Sequence, residues 1–171
     1  MRRLFAPDYS LDEYRRILEK MHGFLYVYEP AMFEYLGNSL AATFAHRRKR
    51  ELLLKDLLNY ELTAEQIAAL PRCGTPPIAN LAQCLGVWYV LEGSTLGGQM
   101  IARHLSRQFG AAAAKVTGFH GGYGDRTQAE WQAFCRLMEL HLPPEKADEI
   151  EEAAQSAKLT FHYLSDWLQD I

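Results

Sequence analysis

Apolar residues recur every three or four positions along most of the chain, which is the pattern of amphipathic α-helices. The first such segment begins with a capping-box sequence at residues 10–13 and continues to Gly37, with a kink or a break expected at Pro30. Further helices are predicted over about 44–58, 63–70, 78–109, 127–142 and 145–170. No segment alternates with a period of two over a convincing length. The sequence therefore predicts a single all-α domain over 1–171, but not a regular four-helix bundle, because its helices differ in length.

Two short segments depart from this pattern. Four glycines between residues 118 and 124 predict a loop that cannot sustain a helix. The basic run at residues 46–50 continues directly into a helical pattern, and we interpret it as the solvated start of that helix instead of a polyanion site.

Composition and charge narrow the functional class. The 171 residues carry a formal net charge of -3, which gives no reason to expect a nucleic-acid partner. No apolar run approaches the length of a membrane span, and no apolar segment follows the N-terminal arginines, so neither a membrane partner nor a signal peptide is expected. The three cysteines have no metal-binding spacing and are expected to be reduced thiols in the cytoplasm.

The most informative stretch is a glycine-rich section in the middle of the long helix predicted over 78–109. Glycine within a helix costs about 1 kcal/mol relative to alanine, and three occur here, at Gly93, Gly97 and Gly98. Gly93 and Gly97 are four residues apart and share one face, while the adjacent Gly97 and Gly98 favour a kink. A face without Cβ atoms allows either a neighbouring helix or a flat ligand to approach closely, and the spacing alone leaves both open.

The full string at residues 92–99, Glu-Gly-Ser-Thr-Leu-Gly-Gly-Gln, resembles the distal-helix signature of heme oxygenases, particularly the bacterial forms associated with phytochromes and iron acquisition. Residues 11–29, 121–134 and 157–161 resemble further stretches of that family, in the same order. The resemblance implies a helical fold with a kinked distal helix and with heme as both substrate and cofactor. It also implies oxidative cleavage of heme to biliverdin, carbon monoxide and iron, using dioxygen and electrons from a donor such as a ferredoxin or a flavin reductase.

The resemblance also assigns site residues. Gly93 and Gly97 would be the distal glycines above the iron, where they leave room for dioxygen. Ser94 stands where many members carry an aspartate that organises distal waters, and a hydroxyl can still hold a water. Arg136 falls where the family places a basic residue for a heme propionate, although an ordinary surface arginine fits the sequence equally well. The predicted heme contacts are Gly93, Gly97, Gly98, Phe134, Arg136 and Phe161, and the two phenylalanines would serve equally well as core residues.

The iron ligand is not identified by the sequence. The family's proximal histidine lies on a helix that precedes the segment matched by residues 11–29, and the ten residues before this segment include no histidine. His22 is a candidate substitute, although a histidine on an apolar helix face is more often a packed residue. Three hypotheses about function remain. The first is a working heme oxygenase whose iron ligand is an alternative histidine or whose natural N-terminus is longer than this chain. The others are a tetrapyrrole-binding or interaction protein without catalysis, and the related superfamily of thiaminase-like and quinone-cofactor synthesis proteins. A missing helix would also leave an apolar groove that favours self-association, most simply as a homodimer.

Overall fold

The computed structural model describes residues 2–6 and 8–169, without the side chains of Arg2 and Ser39; Met1, Pro7, Asp170 and Ile171 lie outside the described residues. The described part is helical and contains no strand, which confirms the predicted all-α class. Its α-helices are α1 (Leu11–Phe33), α2 (Asn38–Ala45), α3 (Arg50–Asn59), α4 (Ala64–Ala68), α5 (Leu81–Phe109), α6 (Ala111–Ala114), α7 (Gly118–Gly121), α8 (Thr127–His141) and α9 (Ala147–Trp167). Short 3₁₀ turns occur at Arg2–Phe5 and Gly124–Arg126.

Helix α1 begins as the sequence predicts and ends at Phe33, before the predicted end at Gly37. The Ser10 hydroxyl accepts from the Glu13 amide, and the Glu13 carboxylate accepts from the Ser10 amide, so the capping box is formed. Pro30 lies inside the helix, which continues to Phe33 without dividing. The buried face of α1 supplies Leu18, Leu25 and other apolar residues to the core.

The segment predicted as one helix over 44–58 is two helices, because α2 ends at Ala45 and α3 begins at Arg50. The N-cap residue of α3, Lys49, makes no side-chain capping bond. Instead, the buried Glu29 carboxylate of α1 accepts hydrogen bonds from the backbone amides of Lys49 (3.0 Å) and Arg50 (3.2 Å) and pairs with Arg48 (2.9 Å). A carboxylate from another helix therefore caps α3.

Helix α5 is the longest helix of the described part and packs against α7, α8 and α9. Its Trp88 is fully buried and contacts the Phe44 ring edge-on, with the ring centroids 5.1 Å apart. The Phe134 ring lies tilted against the same indole at 5.3 Å. This aromatic cluster fixes α5 against α2 and α8.

The glycine-rich segment 118–124 contains a helical turn, α7, where the sequence predicted a loop without helix. The turn forms because the buried Asp56 carboxylate accepts from the amides of Gly118 (3.0 Å) and Phe119 (2.7 Å). Gly122 and Gly124 then adopt positive φ, which ends the turn and directs the chain into α8. Thr127 is the first residue of α8, and its hydroxyl donates to the Gly124 carbonyl.

None of the helices in the described ranges is long and apolar enough to cross a membrane.

Candidate functional site

A cavity of about 790 Å³ lies along the glycine-rich section of α5. Helices α1, α7 and α9 and the N-terminal segment provide its other walls. The lining is mainly apolar and includes Ile17, Met21, Val90, Ile101 and Leu164. The glycine-rich face therefore borders an open space of the size that proteins use for small-molecule and cofactor sites, about 300–1,000 Å³.

The three glycines of α5 serve different purposes. No atom lies within 4 Å of the position that a Cβ on Gly97 would occupy, so this position is open. A Cβ on Gly93 would lie 3.6 Å from the Trp131 ring, an ordinary contact, and Gly93 also lines the cavity. Gly98 is closed by protein, because a Cβ there would lie 2.8 Å from the backbone oxygen of His120. The bare face is thus divided between close packing of α7 at Gly98 and open space at Gly97.

Two hydroxyls stand beside these glycines on α5. Ser94 donates to the Leu91 carbonyl at 2.7 Å, and Thr95 donates to the Glu92 carbonyl at 2.6 Å. Because each proton is engaged within the helix, the oxygen atoms offer the cavity lone pairs and no free donor. Ser94 can therefore accept a hydrogen bond from a water or ligand, but it does not donate one.

The mouth of the cavity combines apolar and cationic side chains. Phe5, Tyr89, Met100 and Phe161 line it and are substantially exposed, Phe161 to 65%. Arg3 and Arg16 also line the cavity; Arg3 is held by Asp8 and Glu13, while no ion pair is found for Arg16 within the part of the chain that the structure describes. An apolar opening with two guanidinium groups suits a flat apolar ligand that carries carboxylates.

Behind the glycines lies a buried ion network centred on Glu92 of α5. Its carboxylate pairs with Arg47 at 2.8 Å and Lys49 at 3.0 Å, and accepts from the Tyr123 hydroxyl at 3.0 Å. The side chains of Glu92, Lys49 and Arg47 are only 2%, 8% and 9% exposed. Burial lowers the pKa of the Lys49 ammonium, against the opposing effect of Glu92. The interpretation of residues 46–50 as a solvated helix start is therefore wrong: two of these cations fix the α2–α3 turn to α5.

His120 of α7 contributes a nitrogen-bearing ring to the cavity wall. Its Nδ1 is hydrogen-bonded to the hydroxyl of the fully buried Tyr14, at 2.6 Å. Burial lowers the pKa of His120 to about 4, so the imidazole is neutral at physiological pH. The carbonyl of the same residue is the group that contacts Gly98.

Several of the predicted site residues come together at this cavity and others do not. Gly93, Ser94, Gly97, Gly98 and Phe161 all line it. Phe134 and Arg136 are not among the lining residues: the Phe134 ring is fully buried against Trp88 and Trp131, whereas Arg136 is exposed on α8. The structure therefore does not bring these two residues to the cavity, because one is an inward-facing core ring and the other an exposed arginine.

His22 is likewise absent from the cavity wall. It is buried on α1 with its ring near Tyr26, and burial, together with the positive charges of Arg50 and Arg72, lowers its pKa. Its Nδ1 is buried without a hydrogen-bond partner. The structure therefore gives no support to His22 as the substitute iron ligand.

A second cavity of about 730 Å³ is lined on one side by residues of α9 between 148 and 163. Tyr28, Ile78 and Val87 contribute to its apolar wall, while Asp148, Glu151 and Glu152 add carboxylates. Since these groups would repel a ligand that carries carboxylates, this cavity suits such a ligand less well than the one along α5.

The comparisons with known proteins agree with this geometry. The heme oxygenase family matches residues 1–170. The chain belongs to the heme oxygenase family. A protein of Xanthomonas campestris pv. campestris (strain 8004), named heme oxygenase, is 30% identical over 164 residues, which cover 95% of this chain and 94% of that protein. No solved structure matches the chain.

Lys49, His120 and Tyr14 were not predicted from the sequence as parts of the site. One signal was available: Glu92 follows an apolar helix segment, and a carboxylate that is buried needs a cation. Which cations supply it is not visible in the sequence, because Arg47 and Lys49 lie more than 40 residues before Glu92. For His120 no signal was available, because neither its turn nor its hydrogen bond to Tyr14, 106 residues away, is visible in the sequence.

Proposed function

We propose that this chain is a heme oxygenase that binds heme in the cavity along α5 and cleaves it to biliverdin, carbon monoxide and iron. The observation that carries the proposal is the open position at Gly97, where the bare face of α5 borders the 790 Å³ cavity. The family membership supports the reaction class.

The size and the lining of the cavity fit the porphyrin of heme. The cavity lies in the size range of cofactor sites, and its lining is mainly apolar, as a porphyrin requires. Any side chain at Gly97 would project into the open space that the macrocycle would use. Arg16 at the mouth is the cation available to a heme propionate, since Arg3 is already paired with Asp8 and Glu13 and Arg136 is exposed on α8 away from the cavity wall.

The chain's own groups have separate tasks in this proposal. Gly93 and Gly97 keep side chains out of the space above the macrocycle. Ser94 accepts a hydrogen bond from a water or ligand there, since its proton is engaged by the Leu91 carbonyl. The Glu92 network holds α5 in place behind that space. When bound, heme supplies the iron that activates dioxygen, with electrons from an external donor such as a ferredoxin or a flavin reductase.

The proposal is tested by adding heme to the purified protein and recording the Soret band. We expect saturable binding of one heme per chain, followed by formation of biliverdin and carbon monoxide when ascorbate or a reductase is supplied under air. Saturable binding without biliverdin would favour the alternative, a tetrapyrrole-binding protein that lacks catalysis. A protein that binds no heme would contradict both.

A further inference from the structure

The imidazole of His120 bridges the helical core and the cavity along α5. Its Nδ1 faces the fully buried Tyr14 hydroxyl, and the residue lines the cavity. Two contacts fix its backbone: the His120 carbonyl lies against Gly98, and Asp56 holds the preceding amides of Gly118 and Phe119. The position of the ring is therefore set by α1, α3 and α5 together.

The bond to Tyr14 also determines which nitrogen carries the proton. The Tyr14 hydroxyl has no other hydrogen-bond acceptor among the described side chains and carbonyls. If it accepted from Nδ1, its own proton would be left unpaired in the core, at a cost of about 1–3 kcal/mol. Tyr14 therefore donates to Nδ1, and the neutral imidazole carries its proton on Nε2.

The Nε2 atom lies across the ring from Tyr14. Within the described part of the chain, Nε2 has no hydrogen-bond partner. The atom is also not completely buried. Nε2 is therefore not fully enclosed by protein, and its residue lines the cavity. By contrast, the hydroxyls of Ser94 and Thr95 on α5 already donate hydrogen bonds to helix carbonyls.

We propose that His120 donates a hydrogen bond from Nε2 to a small ligand held between α5 and the bound heme, and that Tyr14 orients it for this purpose. The assignment rests on the proposed function, because it requires heme in this cavity. Donor and acceptor are then divided between two elements: α7 supplies the proton through His120, and α5 supplies the lone pairs of Ser94.

The test uses carbon monoxide as the probe ligand on the reduced, heme-loaded protein. A hydrogen bond to the carbon monoxide oxygen lowers its C–O stretching frequency, because it strengthens electron donation from the iron. We expect His120→Phe to raise this frequency while the heme affinity and the Soret band stay close to those of the unchanged protein. His120→Gln, which retains an N–H donor, should restore part of the shift.

Two further variants separate orientation from general disturbance. Tyr14→Phe keeps the ring but removes the hydroxyl, and should move the frequency towards the His120→Phe value. His162→Phe replaces an exposed histidine of α9 outside the cavity and should leave the frequency unchanged.

An unchanged frequency in His120→Phe, with heme still bound, would overturn the assignment alone. Loss of the Soret band of a ligated ferric heme in His120→Phe and His120→Gln would also overturn it, since His120 would then be an iron ligand. Failure of the unchanged protein to bind heme would refute the proposed function, and this assignment with it.

Discussion

The backbone oxygen of His120 lies 2.8 Å from the position that a Cβ on Gly98 would occupy. Alanine in place of glycine within a helix normally stabilises a protein by about 0.5–1 kcal/mol. At Gly98 the sign should reverse, because the obstructing atom belongs to a backbone that Asp56 holds in place, and overpacking costs about 1–3 kcal/mol. Urea denaturation of Gly98→Ala measures the loss. The matched variant is Gly97→Ala, whose Cβ meets no atom within 4 Å and which should be stabilised; equal gains at both positions would contradict the packing argument.

A large side chain at Gly97 should separate folding from binding. We expect Gly97→Leu to keep its helical circular dichroism and to lose most of its heme affinity, because the side chain enters the open space of the cavity. Titration of the Soret band gives the affinity. Arg103→Leu, at an exposed position of the same helix outside the cavity wall, is the control and should bind heme normally. Normal binding by Gly97→Leu would mean that heme does not use this face.

Removing the charge of Glu92 should be costly. Glu92→Gln leaves two buried cations, Arg47 and Lys49, without their common carboxylate, and breaking a buried ion pair costs about 3–5 kcal/mol. The free energy of unfolding in urea checks this value. The exposed pair of Lys146 and Glu149 provides the comparison: Glu149→Gln should change stability by no more than about 0.5 kcal/mol. Similar small effects in both variants would show that the network does not stabilise the fold.

Asp56 should control both stability and the position of His120. Asp56→Ala deprives two backbone amides of α7 of their acceptor, at about 1–3 kcal/mol for each amide left unsatisfied. Chemical denaturation should therefore show a clear loss relative to Asp125→Ala, a change at an exposed aspartate in the turn before α8. Faster hydrogen exchange confined to α7 and its contacts would locate the effect; protection of α7 equal to that in the unchanged protein would contradict the capping role.

The protonation of His120 should make the fold sensitive to mild acid. Burial lowers the pKa of His120 to about 4 in the folded protein, against about 6.5 in an unfolded chain. Between these values the unfolded chain binds more protons, so stability falls as the pH drops from 6.5 towards 4. Urea denaturation at pH 7 and pH 4.5 should show a smaller loss in His120→Phe than in the unchanged protein. Both proteins carry the same carboxyl groups, so the difference between their losses of stability measures the effect of the imidazole. Equal losses in the two proteins would exclude a contribution from His120.

The helical class and the main features of α5 could be predicted because they depend on local pattern. Apolar spacing of three and four residues identifies a buried helix face, and the capping box predicted before α1 is confirmed by its hydrogen bonds. The lack of side chains on one face of α5 can also be seen in the sequence, but which glycine borders open space cannot, since Gly97 is open and Gly98 is packed against α7.

The features that were predicted wrongly depend on partners distant in sequence. A run of charges is usually solvated, and only the folded chain shows that Glu92 buries Arg47 and Lys49. The glycine segment looked unable to form a helix because its acceptor, Asp56, lies more than 60 residues earlier. The direction in which Arg136 faces could not be set by the resemblance, because neighbouring positions on a helix point to different sides.

The capping of α3 by Glu29 has a consequence for how the chain assembles. A helix of ten residues is marginal on its own, and the acceptor for its first amides belongs to a helix that is synthesised before it. The order of α3 therefore depends on that of α1, and we expect the two helices to unfold together as one cooperative unit.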